Sequence, residues 1–237
     1  MTRIFLISYL IILTFSSVLL AQTKENKFGF SLNINYTTTS EFFLHPNSTD
    51  AVIRNIHEDL EDIRSYSAEL RYFLSESILI GIGTEYIEKT SDNVNLNLGG
   101  FRLVMTDGYK MIPLELSLYY QLPFSTESFK FFMGGGMGIY FGWNIRAVGD
   151  VSIKNISRKI GYGIHVSVGM DYVVKKFLSL RGQMRFRDPE FEMESEYSSD
   201  IVNYEGRALL FQSQTFASKV NIDGITFSLG AVFNFSL

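Results

Sequence analysis

The sequence predicts an all-β protein, an eight-stranded antiparallel up-and-down transmembrane β-barrel, and three observations carry that reading. From residue 28 onward apolar and polar residues alternate at period two through about eight stretches, as strands with one apolar face do. The connectors between the stretches are alternately long and short. The chain opens with Arg3 and an apolar run from Ile4 to Leu20, followed by Ala21-Gln22 as a cleavage junction. This reads as a secretory signal peptide over residues 1–21, leaving residues 22–237 as one barrel domain.

Each strand can be read in order. The first, about 28 to 40, sets Phe28, Phe30, Leu32, Ile34 and Tyr36 against Gly29, Ser31, Asn33 and Asn35. The second, about 65 to 74, sets Tyr66, Ala68, Leu70 and Tyr72 against Ser67, Glu69 and Arg71, and the third sets Ile78, Ile80, Ile82 and Tyr86 against Gly81, Gly83 and Glu85. The fourth, 109 to 122, alternates Ile112, Leu114, Leu116, Leu118 and Tyr120 with Pro113, Glu115, Ser117 and Tyr119. Phe131 to Phe141 and Tyr162 to Tyr172 form the fifth and sixth, with His165 and Asp171 on the polar side of the latter. Leu178 to Phe186 alternates with Ser179, Arg181, Gln183, Arg185 and Arg187, and Ile225 to Phe235 closes the set. Segments 41–64, 89–108, 143–159 and 188–221 are the long connectors, while 75–77, 123–129 and 175–176 are short. Outer-membrane barrels segregate their loops in this way, long outside the cell and tight in the periplasm.

The aromatic residues decide which face meets lipid. On the apolar face they gather at strand ends: Tyr36, Tyr66, Tyr86, Phe141, Tyr162 and Phe186 toward the long connectors, and Tyr72, Tyr120, Phe131, Tyr172 and Phe235 toward the short ones. Where two end aromatics lie ten positions apart, a rise of ~3.3 Å per residue and a tilt of ~40° give ~25 Å, the height of an apolar band between two girdles. A soluble lipocalin-like barrel would bury this face and have no use for two rings.

Composition narrows the function classes. The chain has no cysteine, which excludes disulfides, thiolate metal sites and a lipid-anchoring cysteine, and its net charge of −4 offers no basic footprint for nucleic acid. Glu69, Arg71, Glu85, Glu115, His165, Asp171, Arg181 and Arg185 all fall on the inward face, together with Arg187. Buried ions must pair, so the expectation is a structural plug of salt bridges and hydrogen bonds, with a narrow gated pore as the alternative. Gly134-Gly135-Gly136-Met137-Gly138 runs into Ile139-Tyr140-Phe141 without a break in alternation, so it reads as strand residues making room for bulky neighbours and not as a phosphate loop opening a helix.

No catalytic residue, cofactor site or metal site is assigned. The histidines are His45, His57 and His165, and neither a triad nor a metal-ligand spacing can be read from them. In the first long connector Ile53, Ile56, Leu60 and Ile63 recur at helical spacing, which predicts a short amphipathic helix capping the barrel mouth or lying on the outer leaflet, with a disordered loop as the alternative. In the fourth, Asp188, Glu190, Glu192, Glu194 and Glu196 alternate with Phe191, Met193 and Tyr197, which predicts a strand extending above the lipid with an acidic outer edge.

The Ile112-to-Tyr120 segment, the glycine-rich Phe131-to-Gly142 strand and the C-terminal strand resemble the eight-stranded outer-membrane barrels of the OmpA, OmpX and OmpW type. The resemblance implies a Gram-negative outer membrane, with membrane lipid, lipopolysaccharide and the barrel-assembly machinery as partners and the long loops free to meet an extracellular ligand. It implies nothing about oligomeric state. The chain ends Phe235-Ser236-Leu237, aliphatic where that family's assembly signal is usually aromatic, and a peptidoglycan-binding domain like that of the longer relatives, with the cell-wall tethering it gives, is not expected. A structural or surface-interaction protein without catalytic activity is the leading expectation, ahead of a narrow pore and a lipid- or peptide-modifying enzyme.

Overall fold

The computed structural model describes residues 27–98, 101–210 and 215–236; the predicted signal peptide and the terminal Leu237 lie outside the described residues. Among the described residues there are thirteen strands: β1 (Phe28–Phe43), β2 (His57–Phe73), β3 (Ile78–Leu98), β4 (Phe101–Gln121), β5 (Phe129–Val148), β6 (Val151–Arg158), β7 (Gly161–Lys175), β8 (Leu178–Arg187), β9 (Glu190–Tyr197), β10 (Ile201–Tyr204), β11 (Arg207–Leu210), β12 (Thr215–Asn221) and β13 (Ile225–Phe235). The count exceeds the eight expected because three long staves are each broken once. β6 runs on into β7, β8 into β9 and β12 into β13, while β10 and β11 form a separate hairpin at the tip of the last long connector.

Near the short turns the antiparallel pairing runs β1–β2–β3–β4–β5–β7–β8–β13 and back to β1, a closed ring. Toward the other end the wall changes partners. There β5 pairs with β6, β6 with β9, β9 with β12 and β12 with β1. β2 and β3 are paired only between Ser65–Ile87 and Phe73–Leu79, so a seam separates them above that level.

Most of the long connectors are therefore not loops. They are hairpin extensions of the barrel wall, since strands continue through most of 89–108 and 143–159 and through both ends of 41–64. The predicted helix shrinks to one turn, α1 (Ala51–Arg54), with Asp50 capping the Val52 amide at 2.8 Å. Leu60 and Ile63 instead sit in β2 and are buried inside the barrel. The acidic segment is β9, with Phe191, Met193 and Tyr197 inward, but it is not an edge because β6 and β12 flank it. Its outer carboxylates meet cations there, Glu192 on Lys159 and Glu190 on Lys219.

The faces are disposed as the parity predicts around the closed ring. Ile34, Leu116, Val166 and Leu229 are exposed, while Ser31, Asn35, Glu115 and Arg181 are buried. End aromatics remain on the outer face and touch across strands: Phe28 lies 5.2 Å from Tyr72 and 5.7 Å from Phe235, and Phe129 lies 5.1 Å from Tyr172. The glycine run is strand, and its inward glycines give room to rings. A Cβ at Gly134 would clash with the Tyr119 ring, and one at Gly142 with the Phe191 ring.

Candidate functional site: the barrel interior

The inward side chains are stacked in layers from the short-turn end to the hairpin end. The first is aromatic. Tyr119 and Phe132 meet edge to face at 5.6 Å, with Phe73 and Leu79 beside them. Below them a cavity of about 280 Å³ opens toward the short turns, bordered by Glu127, Lys130 and Lys176 and floored by Arg71, Tyr119, Phe132 and Asp171.

The second layer holds two cations and two anions. Arg71 sits 4.2 Å over the Tyr119 ring and binds Glu69 at 2.5 Å. Arg181 forks onto Asp171 with two bonds of 2.6 Å, its direct cross-strand partner, and reaches Glu69 at 3.3 Å. The Tyr119 hydroxyl donates to the other oxygen of Glu69 at 2.6 Å.

The third layer spans the lumen. Arg185 bridges Glu85 and Glu115, reaching the latter at 2.6 Å, while Arg187 bonds Glu85 at 2.8 Å. Ser65 and Tyr140 donate to Glu85 and Glu115 at 2.5 and 2.9 Å. Both ionic layers are thus neutral and supplied with additional donors, which is what buried charge requires if desolvation is not to dominate. Ser117 and His165 bond each other at 2.9 Å inside this packing, but His165 Nδ1 has no hydrogen-bond partner, so no orienting carboxylate completes a triad.

Above the charges the lumen turns apolar. Phe42, Leu60, Ile87, Met111, Phe191 and Ile222 belong to one buried cluster. A second cluster, including Leu103, Met105, Val148, Val151 and Val202, lies beyond it, and beside it Asp107 receives two bonds from Arg146, whose guanidinium lies 4.2 Å over Phe216. At the outermost turn Asp150 accepts from the Asn203 side chain and amide at 2.9 and 2.8 Å. Those bonds, the side-chain one first, hold its carboxyl below the ordinary aspartate range.

All of the sequence-predicted interior residues lie in the two ionic layers or touch them. Their pairing could not be read from sequence: Glu69 meets Arg71 and Arg181, and Glu115 meets Arg185 and Arg187. Sequence reasoning missed the hydroxyl donors Tyr119 and Tyr140, although inward parity marks both. It also missed Asp107 and Arg146, which were assigned to connectors; they are direct cross-strand partners of β4 and β5.

No family model and no curated relative matches the chain. Solved structures do. The outer membrane protein OprG of Pseudomonas aeruginosa is similar at 13% identity and TM-score 0.61, over 90% of this chain and 98% of that one. The outer membrane protein AlkL, solved in lipid bilayers, is similar at 16% identity and TM-score 0.51, over 92% and 93%. The chain has the fold of the small outer-membrane β-barrels. At these identities the likeness speaks of architecture alone.

Proposed function

We propose that the protein is a closed outer-membrane β-barrel acting as a structural or surface-interaction element, with its hairpin extensions held outside the cell and no catalytic activity. The observation that carries this reading is the filling of the lumen. Two neutral ionic layers are followed by a continuous apolar cluster, so a hydrated ion would have to break salt bridges and then cross a dry section. The missing orienting group beside His165, and its burial inside the packing, support the non-enzymatic part.

Planar-bilayer recording of the full chain tests it. The expected trace is flat, with no reproducible unitary steps. Steady ohmic steps from the wild-type protein would replace the plug with a narrow pore.

A further inference from the structure

The outer face of the β1–β2 hairpin gathers three metal-ligating groups. Strand pairing sets Glu41 directly opposite Asp59 and Phe43 opposite His57, and His57 and Asp59, two residues apart, share a face. Like charges facing across strands repel. No lysine or arginine among the described residues lies within 4.0 Å of either carboxylate; the group that faces both is the His57 imidazole. We propose that Glu41, His57 and Asp59 bind a divalent transition-metal ion of the zinc class at the external rim.

Three features of the geometry carry this. The His57 ring is held from behind, because Nδ1 lies 3.0 Å from the Asn55 carbonyl and the Phe43 ring packs at 5.1 Å. A carbonyl only accepts, so the proton sits on Nδ1 and the Nε2 lone pair is turned toward the carboxylates, the arrangement by which second-shell groups orient metal-binding imidazoles. Nε2 stands 3.5 Å from Asp59 Oδ1 and 3.7 Å from Glu41 Oε1, and the three donor atoms all lie within 4.8 Å of one another. The two separations from Nε2 are long for hydrogen bonds, yet they lie near the ~3.4 Å edge of a tetrahedron whose metal–ligand bonds are ~2.1 Å. One imidazole and two carboxylates leave a fourth position for water or for a donor from another molecule. The ligands come from facing strands, which is why linear spacing does not show them.

The test is calorimetric titration of zinc chloride into the full chain refolded in zwitterionic detergent, with the heat-dependent gel shift confirming the barrel in each variant. Saturable binding of one zinc per chain is expected. His57→Gln and Glu41→Gln should each weaken it by at least about tenfold, while His45→Gln leaves it unchanged. Absence of saturable binding up to ~1 mM zinc would overturn the site. So would a His57→Gln protein that binds as the wild type does, or a His45→Gln protein that loses as much as His57→Gln.

Discussion

From the short turns up to the level of Tyr36, the inward residues of β1 and β2 include Ser31, Asn35, Thr37, Ser65 and Arg71; above it the large buried side chains are Phe42 and Leu60, beside the small Ser40, with Ile63 at the border. The outward residues exchange character at the same height, from Leu32, Ile34 and Leu70 to Glu41, Asp59 and Glu61. The lower half is thus inside-out relative to a soluble protein and the upper half is not. Solvent explains the difference. Where lipid lies outside, moving an apolar side chain inward gains nothing, since acyl chains are as apolar as leucine, and the interior must be held by hydrogen bonds and ion pairs. Where water lies outside, each fully buried large apolar side chain contributes roughly 1.5–3 kcal/mol, and the hairpins pack as a soluble barrel would.

Removing a charge from the lower half should break this comparison most severely. Arg185→Ala leaves Glu85 and Glu115 short of a partner in a lumen with little water, and a loss of about 3–5 kcal/mol is expected in urea unfolding from lipid vesicles. Adding Glu115→Gln should restore part of it, whereas adding Asp171→Asn, in the other layer, should not. Coupling between Arg185 and Glu115 below ~0.5 kcal/mol would mean that the charges are separately hydrated and that the lumen is wet.

The outer surface offers the next contrast. Leu116 on β4 is 50% exposed and Val104, higher on the same strand, is 44% exposed, so accessibility alone does not separate them. Arginine at Leu116 should cost about 2–4 kcal/mol because it enters the apolar band. Arginine at Val104 should cost less than about 0.5 kcal/mol because it meets water. Equal costs in vesicle unfolding would move the lipid boundary up to the hairpins.

These contrasts also show why part of the molecule was legible in sequence. Alternation exposes the face of Glu69, Glu85, Glu115, Arg181 and Arg185 directly, because lipid permits only one parity in the spanning band. It does not identify partners. Arg181–Asp171 is a neighbour pair on adjacent strands, but Arg185 meets Glu115 across the lumen, from β8 to β4, and nothing in the alternation fixes that distance. The hairpin extensions were harder still. Above the lipid the outward positions become polar and mixed, as with Thr106 and Lys110 opposite the buried Met105 and Met111, so the segment resembles a loop.

The spacing of Leu60 and Ile63 misled for a specific reason. Both side chains point inward although they are three residues apart, a helical interval, because β2 is irregular between them. Asp62 has φ 55°, and the Thr38–Asp62 step drops out of the pairing with β1. The Tyr36 hydroxyl bonds the Asp62 carboxylate at 2.5 Å at this point. Asp62 therefore sits where the barrel changes from its lipid rule to its water rule, and its backbone conformation can be tested apart from its side chain. Asp62→Gly and Asp62→Val both remove the acceptor for Tyr36, so their difference reports the backbone. A β-branched residue in the left-handed region costs roughly 1–2 kcal/mol, partly offset by glycine's greater freedom in the unfolded chain. The valine protein should be less stable than the glycine protein by about 1 kcal/mol in vesicle unfolding, the smallest of the three effects. A valine protein as stable as the glycine protein would show that β2 can straighten at this point without cost. The exchange of faces would then be fixed by the packing of Phe42 and Leu60 inside the hairpins, and not by the bend at Asp62.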